Sequence, residues 1–206
     1  HARGLSSQAP LAALAASPHL AALASLDLGM LLGSDEDEAA FFREAGLRGL
    51  CRLKGFSLRR PVLEAIAAAP FVVNLRHLQA FAPSDHDLAW LADSPAFAGL
   101  ASLALSACRE SGARALADTE GLAGLRSLDL AGSWISDVGI DALAGSALFT
   151  RLSFFRLDPR PVSLAVLERL ARAASPRCRL SASEAGAESR AALAAILGDR
   201  FIMEGP

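Results

Sequence analysis

Lysine and asparagine are nearly missing from this chain: Lys54 is the one lysine among twenty basic residues, and Asn74 is the one asparagine. The twenty-two acidic residues almost balance the basic ones and leave a formal net charge of −2. No overall excess of charge therefore draws the chain to nucleic acid or to anionic lipid. Cysteine is scarce and odd in number, at Cys51, Cys108 and Cys178, with no CxxC pair and no histidine at ligand spacing. A disulfide framework or a zinc site needs closer, paired spacing. Three reduced, mostly buried thiols are expected instead, in a reducing compartment such as the cytoplasm. Long apolar runs are also lacking. The longest, Pro61 to Val73, carries Glu64 and is too short to span a bilayer. No GxSxG elbow, phosphate-cradling glycine loop or HExxH pair occurs. The expectation is a chain that is not an enzyme, holds no metal and no cofactor, and meets neither nucleic acid nor membrane.

What the chain has is alanine, leucine and a repeat. Its residues are 52% hydrophobic and 20% charged, which suits a folded chain and excludes a wholly disordered one. Much of the apolar content is alanine, so the core has to come from close approach of helices to strands. Leu100-Ala-Ser-Leu103-Ala-Leu105 and Leu125-Arg-Ser-Leu128-Asp-Leu130 share the frame LxxLxL. Each is followed by a turn and a small-residue helical stretch ending at Ala117 or Ala144. The next frame begins eight residues after that alanine, at Leu125 and Leu152. The frame and the spacer agree at six places, with frames starting at Leu23, Leu50, Leu75, Leu100, Leu125 and Leu152. The step of about 25 to 28 residues lies in the range of leucine-rich repeats.

The expected organisation is one domain over residues 1–206. A partial or capping repeat covers 1–22, the six repeats follow, a degenerate repeat or cap covers 176–199, and 200–206 is a tail. Pro10 to Ala16 reads as a helix without a strand before it, so the chain is expected to enter part-way through a repeat or to carry an atypical cap. Asp35 to Glu38 opens a helix, where acidic residues suit the dipole and need no binding role. Asp85-His86-Asp87 brings two carboxylates beside an imidazole. Adjacent residues at a helix start cannot face one point, so Asp85 is read as an N-cap. Trp90 and Trp134 are read as packing residues. The second frame is degraded, because Gly55 stands where a sixth-position leucine belongs. The Leu50 register preserves the spacer, whereas an alternative register through Leu53, Phe56 and Leu58 fits the frame better but turns Phe56 into the core.

The stretch LRSLDLAGSWISDVGIDALA, from Leu125 to Ala144, resembles a unit of the ribonuclease-inhibitor-like and GALA-type leucine-rich-repeat families, LxxLDLSxNxIxDxGAxALA. The likeness is specific over Leu100 to Ala144 and weaker elsewhere. Together with the repeat it predicts an α/β, right-handed leucine-rich-repeat solenoid (a horseshoe) with a concave parallel β-sheet and convex helices. In such families an Asn or Cys at the ninth position satisfies backbone groups in the turn. Here that position holds Cys108 and Ser133 in the regular repeats but Leu58 and Pro83 in the degraded ones, so no asparagine ladder forms and the turns must be satisfied otherwise.

Outward side chains at frame positions 3, 5 and 7 are those a ligand would meet. In the regular repeats they are mostly serine and alanine, an uninformative surface. The second and third strands differ: Arg52, Lys54 and Phe56 stand beside His77, Gln79 and Phe81, with Arg76 at the same end. Phe154 and Arg156 project from a later strand. Aromatic and arginine side chains together are the usual make-up of a binding hot spot. The expected function is therefore a monomeric, non-enzymatic scaffold that binds an unidentified protein partner on its concave face. The rival expectation is a structural or spacer segment of a longer repeat protein with no partner of its own.

Overall fold

A computed structural model of the chain describes residues 8–29, 34–81, 84–158, 162–182 and 185–202. Predicted turn residues Pro83, Pro159 and Pro161 and the tail end 203–206 lie outside the described residues. Eight strands form one sheet in the order of the chain, and every neighbouring pair is parallel. They are β1 (Ser25–Asp27), β2 (Arg52–Ser57), β3 (His77–Phe81), β4 (Ser102–Ser106), β5 (Ser127–Leu130), β6 (Phe154–Leu157), β7 (Arg179–Ala182) and β8 (Phe201–Ile202). Helices lie between them: α1 (Gln8–Ala15), α2 (Asp35–Glu44), α3 (Arg60–Ala68), α4 (Asp85–Asp93), α5 (Glu110–Asp118), α6 (Asp137–Ala144), α7 (Ala147–Arg151), α8 (Leu164–Ala173) and α9 (Ala187–Leu197).

The frame explains the sheet. Its fourth residues, Leu26, Leu53, Leu78, Leu103, Leu128, Phe155 and Leu180, pair one to the next across the strands. All are buried, in one core with the inner helix residues such as Leu63, Leu91, Leu116, Leu143 and Leu167. A side-chain period of two puts the alternate residues on the opposite, open face. That face is half-exposed along β4, where Ser102, Ala104 and Ser106 alternate with buried Leu103 and Leu105.

Register is fixed at the entry of β2 to β6 by one recurring carbonyl. The oxygen at frame position 2 accepts two consecutive N–H groups from the next repeat. Ala24 takes Cys51 and Arg52, Cys51 takes Arg76 and His77, Arg76 takes Ala101 and Ser102, Ala101 takes Arg126 and Ser127, and Arg126 takes Ser153 and Phe154. The second repeat follows this rule, so it enters in the Leu50 register.

It does not leave in that register. Between Lys54 and Phe56 the pairing with β3 shifts by one residue, so that Phe56 pairs with Ala80 and Ser57 with Phe81. Gly55 is the extra residue, at φ +76°, a left-handed conformation that glycine adopts without a Cβ penalty. Gly55 therefore does not replace a leucine but is inserted before the residue that does. Phe56 occupies the sixth position and is 1% exposed. It corrects the expectation that Phe56 faces outward: the Leu50 register holds up to Lys54 and continues one residue later beyond the bulge, whereas the register starting at Leu53 is not adopted, because Leu53 stays at the fourth position opposite Leu78. The inward ring also fills space beside the small Ala80, stacking edge-on to Phe42 with centroids 6.1 Å apart. Leu58, expected in a turn, is fully buried with it.

The turn between the two regular repeats is satisfied without asparagine. Ser133 Oγ accepts the Cys108 N–H at 3.2 Å and donates to the Leu105 carbonyl at 3.2 Å, tying one repeat to the one before it. Asn74 does similar work elsewhere, donating to the Arg48 carbonyl at 3.0 Å. Three further expectations change. The cap of α4 is Ser84, whose side chain accepts the Asp87 N–H, and Asp85 is the first residue inside the helix. Part of the expected tail is ordered: Phe201 and Ile202 pair with Leu180 and Ser181 as β8. Trp134 is 80% exposed and packs against no core, whereas Trp90 keeps its packing role against Phe97.

Backbone strain gives two opposite stability predictions. A Cβ on Gly55 would lie 2.5 Å from the Gly29 nitrogen, in addition to the positive φ. Gly55→Ala is expected to lower unfolding free energy by at least ~2 kcal/mol, read from the urea midpoint. Ala107 holds φ +59° where the next repeat has Gly132 at φ +71°. Ala107→Gly removes that strain and is expected to gain up to about 1 kcal/mol, because the left-handed conformation costs a non-glycine residue roughly 1–2 kcal/mol. An unchanged or lower midpoint would count against it.

Candidate functional site

The bulge decides which side chains reach the open face of β2. Before it, Arg52 pairs with His77 and Lys54 with Gln79; on β3 and β4, His77 pairs with Ser102 and Gln79 with Ala104. Parallel strands lie about 4.8 Å apart and residues two apart on a strand about 6.6 Å, so these six side chains form a close two-by-three grid. They line a hollow of about 230 Å³ together with the backbone of Leu53 and Leu78. A second hollow, of about 200 Å³, is lined by Gln79, Ala104, Leu105, Ser106, Asp129, Ala131 and Arg156. Gln79 and Ala104 belong to both, so the two form one trough across β2 to β6.

Four of the sequence-predicted residues, Arg52, Lys54, His77 and Gln79, thus meet in one place, and Arg156 stands at the far end. Arg156 is tied to Asp129 at 3.6 Å, across β5 and β6. Phe81 is 37% exposed, beside Ser57 and Ser106 in the register. Phe154 is half-buried, between Ser127 and Arg179. Two residues leave the set. Phe56 is core, because the bulge turns it inward. Arg76 lines neither hollow: its Nη1 donates to the Val73 and Leu75 carbonyls at 2.9 and 3.0 Å and closes the turn before β3. Arg126 repeats that arrangement on the Ala123 and Leu125 carbonyls, which marks it as a device of the repeat.

Sequence reasoning undervalued the small residues of the regular repeats. Ser102, Ala104, Ser106 and Ala131 read as bland surface, yet their small size makes the floor of the trough. It also missed Glu38 and Trp134. Glu38 is 3% exposed at the back of β2, and its carboxylate accepts the Ser57 N–H at 3.2 Å, just past the bulge. Burial pushes its carboxyl above the usual range, the Ser57 hydrogen bond opposes this, and Asp35 adds to it. Nothing in the acidic run from Asp35 to Glu38 distinguishes its last member except helical phase. Trp134 flanks a separate apolar hollow of about 570 Å³ with Ala107, Arg109 and Glu110.

The two buried thiols offer little reactivity. Burial pushes Cys108 up to about 12 and Cys178 up to about 11, so neither is a thiolate at neutral pH. Among the described residues no three His, Cys, Asp or Glu side chains cluster closely enough to hold a metal ion. Among them too, no helix is long and apolar enough to cross a membrane. No family model matches the chain, and no curated protein matches it in sequence.

Glu38 supplies a pH prediction. A carboxyl whose pKa is raised by folding adds stability that is complete below its unfolded value, about 4.3. That stability is lost as the pH rises through the folded value. At pH 7, well above the unfolded value, Glu38 therefore weakens the fold relative to a neutral acceptor. Glu38→Gln keeps an oxygen for the Ser57 N–H and is expected to raise the urea midpoint at pH 7, with the gain vanishing near pH 4. A gain of the same size at both pH values would show that burial of the charge is not its source.

Proposed function

We propose that this chain is a leucine-rich-repeat solenoid of the ribonuclease-inhibitor-like or GALA type. Its open sheet face is the concave one, and a partner protein binds there without chemistry being done. The repeat frame, the strictly sequential parallel sheet and the helix after almost every strand support the architecture. The function rests on one observation: the trough across β2 to β6 has a small-residue floor at Ser102, Ala104 and Ser106 and larger polar and charged side chains at its sides. Such a surface accepts a partner's projecting side chains, and Phe81 beside it is a rigid apolar anchor of the kind that carries much of an interface's affinity. Fold alone does not imply function, so the weight lies on the trough.

Capture of binding proteins from the source lysate tests this. Ala104→Arg fills the floor shared by both hollows and is expected to abolish capture. Phe81→Ala is expected to weaken it by roughly tenfold or more. Glu64→Ala, on the exposed side of α3, serves as a control expected to leave it unchanged. Capture unaffected by Ala104→Arg would place the binding surface elsewhere.

A further inference from the structure

Resting on the open-face reading above, we propose that the β2–β3 end of the trough is built for an acidic segment of the partner. A carboxylate is held among Arg52, Lys54 and His77, and a neighbouring apolar side chain lies over Ala104. Three observations carry this. First, the three nitrogen-bearing side chains come from adjacent strands in register and line one hollow. Second, none of the three side chains has a hydrogen-bond or ion-pair partner among the described residues. Five helix arginines, Arg43, Arg60, Arg114, Arg169 and Arg172, are each paired with a carboxylate; Arg151 on α7 has no such pair, but it stands alone, whereas the corner gathers three nitrogen-bearing side chains in one hollow. Arg52 and Lys54 are cations two residues apart on one strand, with no ion pair recorded to either, and an anionic ligand relieves their mutual repulsion. Third, the polarity of the hollow is graded. Gln79 and Ser102 offer hydrogen bonds beside the cations, and Ala104 offers open apolar floor beyond them.

The surroundings favour a peptide over nucleic acid. Asp27 borders the corner in register with Lys54, its Oδ1 engaged by the Gly29 N–H at 3.0 Å. At the far end of the trough Arg156 is neutralised by Asp129. The positive charge is thus a corner about two strands wide, not the continuous stripe that tracks a phosphate backbone.

The test is titration of the isotope-labelled full chain, followed by backbone amide shifts, with a six-residue peptide alternating glutamate and leucine. Its glutamine counterpart and a ten-nucleotide single-stranded DNA are the comparison probes. The glutamate peptide is expected to bind at least tenfold more tightly than the glutamine peptide, to weaken with salt, and to shift amides 52–54, 77–79 and 102–104. Arg52→Gln with Lys54→Gln should lose at least tenfold of that binding while melting at the wild-type temperature, since both side chains stand on the open face. Equal binding of the two peptides, or no loss in the double variant, overturns the proposal; tighter binding of the DNA replaces it with a nucleic-acid site. If both peptides bind equally and Ala104→Arg abolishes both, the open-face reading stands and only the acidic one falls. If the shifts lie off the open face altogether, both readings fall.

Discussion

The structure depends on one hydrogen-bonding constraint: at the mouth of five successive strands, β2 to β6, a single carbonyl of the preceding repeat receives two consecutive amides. Because that fork recurs at frame position 2, from Ala24 through Arg126, each repeat is locked to its predecessor before its strand begins. A one-residue slip would carry the whole inward set to the open face. The fork is made of backbone groups and is insensitive to side-chain identity. Alanine, cysteine and arginine all serve at position 2.

Where the frame is broken, the break occurs after the fork and changes what the surface presents. Gly55 lets β2 gain a residue without disturbing its entry, so Phe56 goes to the core and Lys54 remains outside. The Glu38 carboxylate then receives the Ser57 N–H just past the bulge. A bulge re-aims side chains locally, and here it separates an aromatic core cluster from a cationic corner within five residues. The regular repeats beside it contribute by subtraction, their serines and alanine leaving the space that makes the corner accessible.

Much of the architecture was legible in the sequence because the period is visible in leucine and alanine alone. The six frame starts, the alternation of strands and helices and the burial of the fourth-position residues all follow from it. Three features were not legible, each for a physical reason. Phe56 was misplaced because a bulge changes parity without changing the apolar content. Arg76 was placed in the site because a guanidinium bound to carbonyls has no acidic partner to betray it in sequence. Trp134 was read as packing because an aromatic in a turn usually packs; here its backbone is held by the Cys108 carbonyl while the ring stays outside. Of the candidate site, Arg52, Lys54, His77 and Gln79 were found together because register follows from the frame. The small floor residues were overlooked because an absence of side chain carries no signal of its own.

The central claim is that the bulge at Gly55 turns Phe56 into the core, while Gln79, beside Lys54 just before the bulge, stays on the open face. Thiol labelling tests it most directly, with Phe56→Cys and Gln79→Cys made separately in a Cys51→Ser background. The buried Cys108 and Cys178 act as internal controls for reaction through unfolding. The thiol introduced at position 79 should react at close to the rate of an unfolded peptide. The one at position 56 should react no faster than the two buried cysteines. Comparable rapid labelling at both positions would contradict the account.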